Sequence, residues 1–254
     1  MDLSKKYLFR KVPEITLLFW VVKLVTTALG EATSDYLVLR YNPYLAVITT
    51  GVLLLLALIW QFKAKKYYPI TYWVTAAMVA IFGTMAADGL HIQLGVPYIV
   101  SSAFFAICLI VIFIWWQKVE HTLSIHTINT RRRELFYWAT VIATFALGTA
   151  LGDLTATTFG LGYFVSGILF FVLFLTPFVL KGLFKINEIL AFWTAYVLTR
   201  PLGASFADWF SKPKAIGGLD HGDGHTAILL GLIFFVLVLF MTFNARERKL
   251  EKAT

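Results

Sequence analysis

One spacing recurs four times in this chain and dictates how it can be organised. A tryptophan, a glycine ten residues later and an aspartate five beyond that occur as Trp20/Gly30/Asp35, Trp73/Gly83/Asp88, Trp138/Gly148/Asp153 and Trp193/Gly203/Asp208. Four of the seven aspartates sit in this frame. Each copy lies in an apolar stretch, and self-similarity at a period of tens of residues marks repeated structural units. Successive tryptophans are 53, 65 and 55 residues apart. The longer middle interval holds the basic, histidine-containing segment from Lys118 to Arg133, which divides the repeats two and two.

The units belong in a bilayer. With 59% hydrophobic and 14% charged residues and a mean hydropathy of +0.77, the chain lies outside the range of soluble domains. Apolar segments near 13–36, 44–62, 69–92, 97–117, 134–156, 161–181, 188–210 and 225–244 each approach the roughly 20 residues that cross a hydrocarbon core of about 30 Å. The predicted fold is an all-α membrane protein of eight transmembrane helices in four two-helix repeats. These repeats are 13–67, 68–129 with the basic connector, 130–186 and 187–244, between terminal segments 1–12 and 245–254. Two crossings return the chain to its starting side, so the repeats are parallel and related by an axis along the membrane normal. No stretch is left for a separate soluble catalytic domain.

A net charge of +8 would suggest nucleic acid in a soluble protein, but here the basic residues are sorted by loop. Lys5, Lys6, Arg10 and Lys11 precede the first segment, and Lys63, Lys65 and Lys66 follow the second. Lys118 and Arg131 to Arg133 follow the fourth, Lys181 and Lys185 the sixth, and Arg246, Arg248, Lys249 and Lys252 the eighth. The opposite loops carry little beyond Arg40, Lys212 and Lys214. Both termini are therefore expected in the cytoplasm, with the basic runs setting topology and meeting lipid headgroups. The basic N-terminus resembles a signal peptide, yet the apolar segment behind it carries Lys23, Glu31 and Asp35 and belongs to the first repeat, so no cleavage is expected. Cys108 has no partner cysteine, which excludes an internal disulfide or a cysteine metal cluster.

In the odd-numbered segments each tryptophan stands near the cytoplasmic interface and the aspartate lies about 22 Å further along, at roughly 1.5 Å per residue. The four aspartates thus share one depth in the outer half. Four residues after each glycine comes a small residue, giving Gly30/Ser34, Gly83/Ala87, Gly148/Gly152 and Gly203/Ala207. Small residues at this spacing let helix backbones approach closely in lipid, and four in register predict that the odd helices pack together. The even segments, with runs such as Leu53 to Leu56 and Phe170 to Leu175, lack ionisable groups in their middles and are expected to face lipid.

The chain resembles a family of bacterial integral-membrane proteins built from four tandem repeats of unknown function, each with two transmembrane regions and a characteristic tryptophan. The resemblance rests on Trp20, Trp73, Trp138 and Trp193 and on phrases such as PEITLLFWVVKLVTTALGEATSDY and FWTAYVLTRPLGASFADW. It covers nearly the whole chain. What it implies is the eight-span layout and a bacterial plasma-membrane location; it supplies no function.

The repeats differ where a working site needs asymmetry. Thr26, Thr144 and Thr199 stand six residues after three of the tryptophans, where the second repeat has Val79. Only the first repeat has Lys23 and Glu31, and only the fourth has Arg200-Pro201, expected at a helix kink. A charge at such depth needs a partner, so Arg200 and Lys23 are expected to act as counter-charges to the acidic groups. The aspartates can simply end the helices and hold the bundle together. Alternatively some of Asp35, Asp88, Asp153 and Asp208, with Glu31, converge and bind or relay a cation, with the threonine hydroxyls along its path. Like charges crowded into a low dielectric require a cation or protons to balance them. Hard oxygen ligands favour Mg²⁺ or Mn²⁺. In the outer loop His221, Asp223 and His225, joined by His91, offer a metal-capture set whose competing reading is a flexible polar turn.

The resulting expectation is a transporter or channel for a small cation, most simply a divalent metal, with proton coupling. Its partners would be the bilayer, the cation and, as an open alternative, further copies of itself; nucleic acid is not expected. A membrane scaffold whose repeats serve packing alone is one alternative, and an organic-cation transporter using its many aromatic faces is another. The chain has no HExxH or GxSxG motif, so it is not expected to be an enzyme; the exception would be an intramembrane metal-dependent hydrolase using carboxylates and histidines.

Overall fold

The computed structural model describes residues 10–92 and 94–250. Lys5, Lys6 and Lys252 lie outside the described residues, as do the side chains of Arg246, Arg248 and Lys249. Among the described residues there are eight long α-helices and no strand: α1 Leu17–Arg40, α2 Pro43–Lys63, α3 Pro69–Ile92, α4 Tyr98–Glu120, α5 Arg131–Asp153, α6 Gly162–Phe184, α7 Glu188–Ser211 and α8 Asp223–Leu250. A π-helical turn, Leu154–Thr158, extends α5. Seven of the eight are long and apolar enough to cross a membrane, as expected of a membrane protein. The exception is α7, whose 24 residues include buried Thr199, Arg200, Ser205 and Asp208. It runs as one helix through Pro201.

Local chemistry sets the boundaries. The Thr16 hydroxyl accepts from the Phe19 amide, so α1 begins after Thr16 rather than at Pro13. The Asn42 and Asn187 side chains each accept from two amides at the starts of α2 and α7, and Thr130 caps α5. Pro43 supplies the first residue of α2, where its missing N–H costs nothing.

The helices form two concentric layers. The odd helices α1, α3, α5 and α7 make an inner ring in which each touches the next and α7 closes onto α1. Outside it α2 packs on α3, α4 on α5, α6 on α7 and α8 on α1. Each even helix therefore covers the odd helix of the following repeat far more than that of its own, and the last repeat covers the first. The ring has no free end. Ile48, Leu55 and Ile59 of α2 and Ile107, Val111 and Ile114 of α4 remain exposed, an apolar rim suited to lipid.

Two contacts repeat around the ring. The aromatic residue before each tryptophan lies on the tryptophan of the next repeat: Phe19 on Trp73 at 5.7 Å, Tyr72 on Trp138 at 5.5 Å, Tyr137 on Trp193 at 6.2 Å and Phe192 on Trp20 at 5.7 Å. The ring planes meet at 49°, 45°, 50° and 47°, so one geometry is used four times. Ten residues on, the glycines meet the next odd helix at the position seven past its tryptophan. A Cβ on Gly30 would collide with Ala80, and one on Gly83 would lie 3.0 Å from Phe145 Cβ. At Gly148 it would strike Arg200 and lie 2.9 Å from Pro201 Cδ, and at Gly203 it would strike Thr27. The close helix contact expected of these glycines is present at all four, and the shared ends show that the odd helices run the same way.

The tryptophan end is sealed by residues expected only to set topology. Arg10 and Lys11 are buried, Lys11 pairs with Glu134, and Gln61 Nε2 donates to Glu134 Oε1 at 2.8 Å. The Lys11 amide donates to the Ile128 carbonyl at 3.0 Å, and the Tyr67 amide to that of Arg10 at 2.7 Å. Residues 10–11 are thereby laced to two loops.

Replacing Gly30 or Gly203 with Val is expected to destabilise the protein by about 1–3 kcal/mol each, the usual range for over-packing. Gly182→Ala, where a Cβ would meet nothing, should be neutral or slightly stabilising in a helix. Thermal unfolding in detergent, followed by tryptophan fluorescence, checks both; equal effects at Gly30 and Gly182 would contradict the ring packing.

Candidate cation site

Seven residues past its tryptophan, where the other repeats have Thr27, Ala80 and Phe145, the fourth repeat carries Arg200. Its Cβ and Cγ fill the space left by Gly148, and the guanidinium reaches a level eleven residues past the other three tryptophans. There it meets Glu31, Thr84 and Thr149, the same position in three successive repeats. Nη2 pairs with Glu31 Oε2 and donates to Thr84 Oγ1 and, at 2.8 Å, to Thr149 Oγ1; Nη1 donates to the Thr27 carbonyl at 3.3 Å. One side chain thus ties α7 to α1, α3 and α5. Arg200 and Glu31 are 1% and 3% exposed, so the pair is sheltered from solvent screening.

The expected convergence of acidic groups is found just beyond this level. Glu31, Asp153 and Asp208 each offer a carboxylate oxygen within 4.8 Å of the others. Cation–oxygen distances of about 2.0–2.1 Å for Mg²⁺ and 2.3–2.6 Å for Ca²⁺ place opposite ligands roughly 4–5 Å apart, so this spacing fits a single ion. The buried Asp208 Oδ1 accepts no hydrogen bond among the described residues, and the cationic group beside it is the Lys212 ammonium at 3.9 Å. Asp88 is within electrostatic range of Asp153, Glu31 and Arg200. Asp35 is held by Lys212, in the loop after α7, whose ammonium also lies 3.2 Å from Asp223 and 3.9 Å from Asp208. Burial opposes the Lys212 charge, but Asp35 and Asp208 prevail and hold the ammonium above the usual lysine range. Six carboxyl groups, Glu31, the four repeat aspartates and Asp223, are therefore set against two cationic groups, Arg200 and Lys212.

Other expectations need correction. Lys23 pairs with no carboxylate: its ammonium lies 4.1 Å from the centres of both the Phe145 and Tyr196 rings and has no hydrogen-bond partner among the described residues. The Thr26, Thr144 and Thr199 hydroxyls each donate to a carbonyl of their own helix, at Val22, Val141 and Tyr196 respectively. The outer metal-capture set does not assemble. His221 stacks on Phe210 at 4.2 Å, Asp223 turns to Lys212, and His225 is exposed. His91 stacks on Tyr98 at 3.5 Å and bonds the Val96 carbonyl at 2.6 Å. Sequence reasoning missed Thr84 and Thr149, although both share the offset of Glu31 from their tryptophans and that offset could have found them.

The chain matches the family described as Repeat of Unknown Function (DUF347) four times, over residues 18–67, 71–122, 136–186 and 191–247. The chain belongs to this family. Each DUF347 match spans one inner helix and the outer helix after it, so the site is made where four such repeats meet. No curated protein and no solved structure matches the chain.

Arg200→Met is expected to destabilise the fold by about 3–5 kcal/mol, because it strands Glu31 in a dry interior. Adding Glu31→Gln should recover much of that loss. Detergent unfolding of the wild type, both single variants and the double variant measures the coupling; additive single effects would contradict the pairing.

Proposed function

We propose that this protein is a multi-pass transporter or channel for a small cation in the bacterial plasma membrane. In this reading all eight helices cross the bilayer, both termini are cytoplasmic, and the acidic end of the inner ring faces outward. The observation that carries the reading is the convergence of Glu31, Asp153 and Asp208, with carboxylate oxygens within 4.8 Å of one another, inside a bundle of apolar helices. Such groups are costly in a membrane interior and mark ion or proton pathways there.

Charge balance narrows the cargo. Arg200 and Lys212 leave four negative charges of the six uncompensated when all are ionised, and a divalent cation entering with or against protons supplies what is missing. The donors are all carboxylate or hydroxyl oxygen, which favours Mg²⁺ or Mn²⁺ over softer metals. Glu31, Asp153 and Asp208 would hold the ion, Asp88 would extend the negative field, and Lys212 would compete for Asp208 from the outer side. The Lys11–Glu134–Gln61 group and the aromatic ring would close the cytoplasmic end in this state.

The hydrogen bonds that the two Nη groups of Arg200 make to three helices favour a second reading, in which the buried charges serve packing alone. The two readings part at Asp153, with which Arg200 forms no ion pair. Purified protein in liposomes, with internal Mn²⁺ read by a quenched dye, separates them. Asp153→Asn and Asp208→Asn should each reduce Mn²⁺ affinity at least about tenfold while leaving thermal unfolding near that of the wild type. Full flux in a variant with all four repeat aspartates changed to Asn would overturn the transport reading.

A further inference from the structure

The transport reading leaves the buried charge of Lys23 unused. Lys23 lies on the inner face of α1, 1% exposed, three residues past Trp20. Lys11 and Lys212 each touch a carboxylate, whereas among the described residues the Lys23 ammonium has two ring faces beside it and no hydrogen-bond partner. One of those rings, Phe145, also carries the Arg200 guanidinium, whose central carbon is 5.6 Å from the ring centre. Two cations are thus stacked against a single aromatic side chain. The other ring, Tyr196, ends in a hydroxyl 3.5 Å from that of Tyr137, which in turn bonds the hydroxyl of Tyr72. This line of three phenols runs from the level of Lys23 toward the tryptophan end.

We propose that Lys23 is the proton-exchanging group that couples cation occupancy of the acidic cluster to proton movement, a role that rests on the transport reading above. A cation at Glu31, Asp153 and Asp208 neutralises the partner of Arg200. The uncompensated guanidinium then raises the positive potential at Lys23 across Phe145. An Nζ–H bond of Lys23 breaks, the electron pair stays on nitrogen as the neutral amine, and the proton passes to the Tyr196 hydroxyl and along the buried phenols, leaving for water when the Lys11–Glu134–Gln61 seal at the tryptophan end opens. A lysine over the Tyr196 ring reaches its hydroxyl by rotating its terminal torsions, and each phenol accepts one proton as it gives up its own. Departure of the cation reverses these steps. The ionisable groups at this level are Arg200 and Tyr196 from α7, Tyr137 from α5 and Tyr72 from α3. The outer helices beside α1 add none, since α2 has no ionisable residue from Leu45 to Phe62 and α8 none from Thr226 to Asn244.

The test uses full-length protein, with Mn²⁺ as the probe. Proton release on Mn²⁺ binding is followed with a pH dye in weakly buffered detergent, and proton movement with Mn²⁺ flux in liposomes. Lys23→Met should bind Mn²⁺ within about threefold of the wild type but release about one proton fewer per ion. Lys23→Arg, which keeps a cation against the same rings but cannot give up its proton, should show the same deficit. If Lys23→Met does not fold, Lys23→Arg decides alone. A wild-type proton count in either folded variant overturns the proposal while leaving cation transport standing. Wild-type protein that neither binds nor moves Mn²⁺ removes the transport reading, and the role of Lys23 with it.

Discussion

The inner ring depends on the guanidinium of Arg200. A planar group with donors pointing several ways can bond to several helices at once, and here its nitrogens reach α1, α3 and α5 from α7. A lysine in its place would offer one ammonium on a narrower reach. The arrangement also explains why Gly148 faces α7: only a residue without Cβ leaves space for the Arg200 stem to pass toward its acceptors. Glycine, arginine and the three acceptors form one unit, although they are scattered over four repeats.

Around that unit the frame is close to four-fold. The aromatic contact between each repeat and the next keeps its geometry at all four interfaces, and so does the glycine contact ten residues further along. Symmetry of this kind brings equivalent positions together near one axis, which is how a ring of helices can place one arginine against one glutamate and two threonines. The functional differences lie at these same equivalent positions. Eleven residues past the tryptophan the four repeats read Glu31, Thr84, Thr149 and Ala204; three residues past they read Lys23, Ala76, Val141 and Tyr196. Each level holds one charged residue, and its neighbours there are uncharged. The frame supplies convergence and the substitutions supply chemistry.

The inner layer was legible in the sequence because its signals are positional. Gly30, Gly83, Gly148 and Gly203 recur at a constant offset, and a constant offset on helices of one direction must produce one contact repeated. The same logic put Asp153 and Asp208 at one depth, but Glu31 stands outside that offset, and Asp35 and Asp88, which share it, lie outside the three-carboxylate group. What was hidden is side-chain direction. Thr26, Thr144 and Thr199 share an offset too, and like Thr84 and Thr149 they donate to their own backbone; only the latter two also accept from Arg200 among the described residues. Lys23 was expected beside a carboxylate because charge was weighed without aromatic faces; Phe145 and Tyr196 come from other repeats and nothing local announces them. The even helices carry no periodic polar marks, so their shift onto the following repeat left no trace in the pattern.

That shift has a mechanical consequence. If each outer helix packed on its own inner partner, the repeats would be four separate hairpins that could slide past one another. Because α2, α4, α6 and α8 each clasp the next inner helix, with α8 returning to α1, movement of one inner helix is carried to its neighbour through two surfaces. The inner contacts are tight at the glycines and leave little freedom for shear, so a change of charge at Glu31 or Arg200 is more readily taken up by side chains than by helix displacement. Phe145 is where such a rearrangement would be felt first. It packs against Gly83 and meets both the Arg200 guanidinium and the Lys23 ammonium, and so links the acidic level to the tyrosine level without requiring the ring to open.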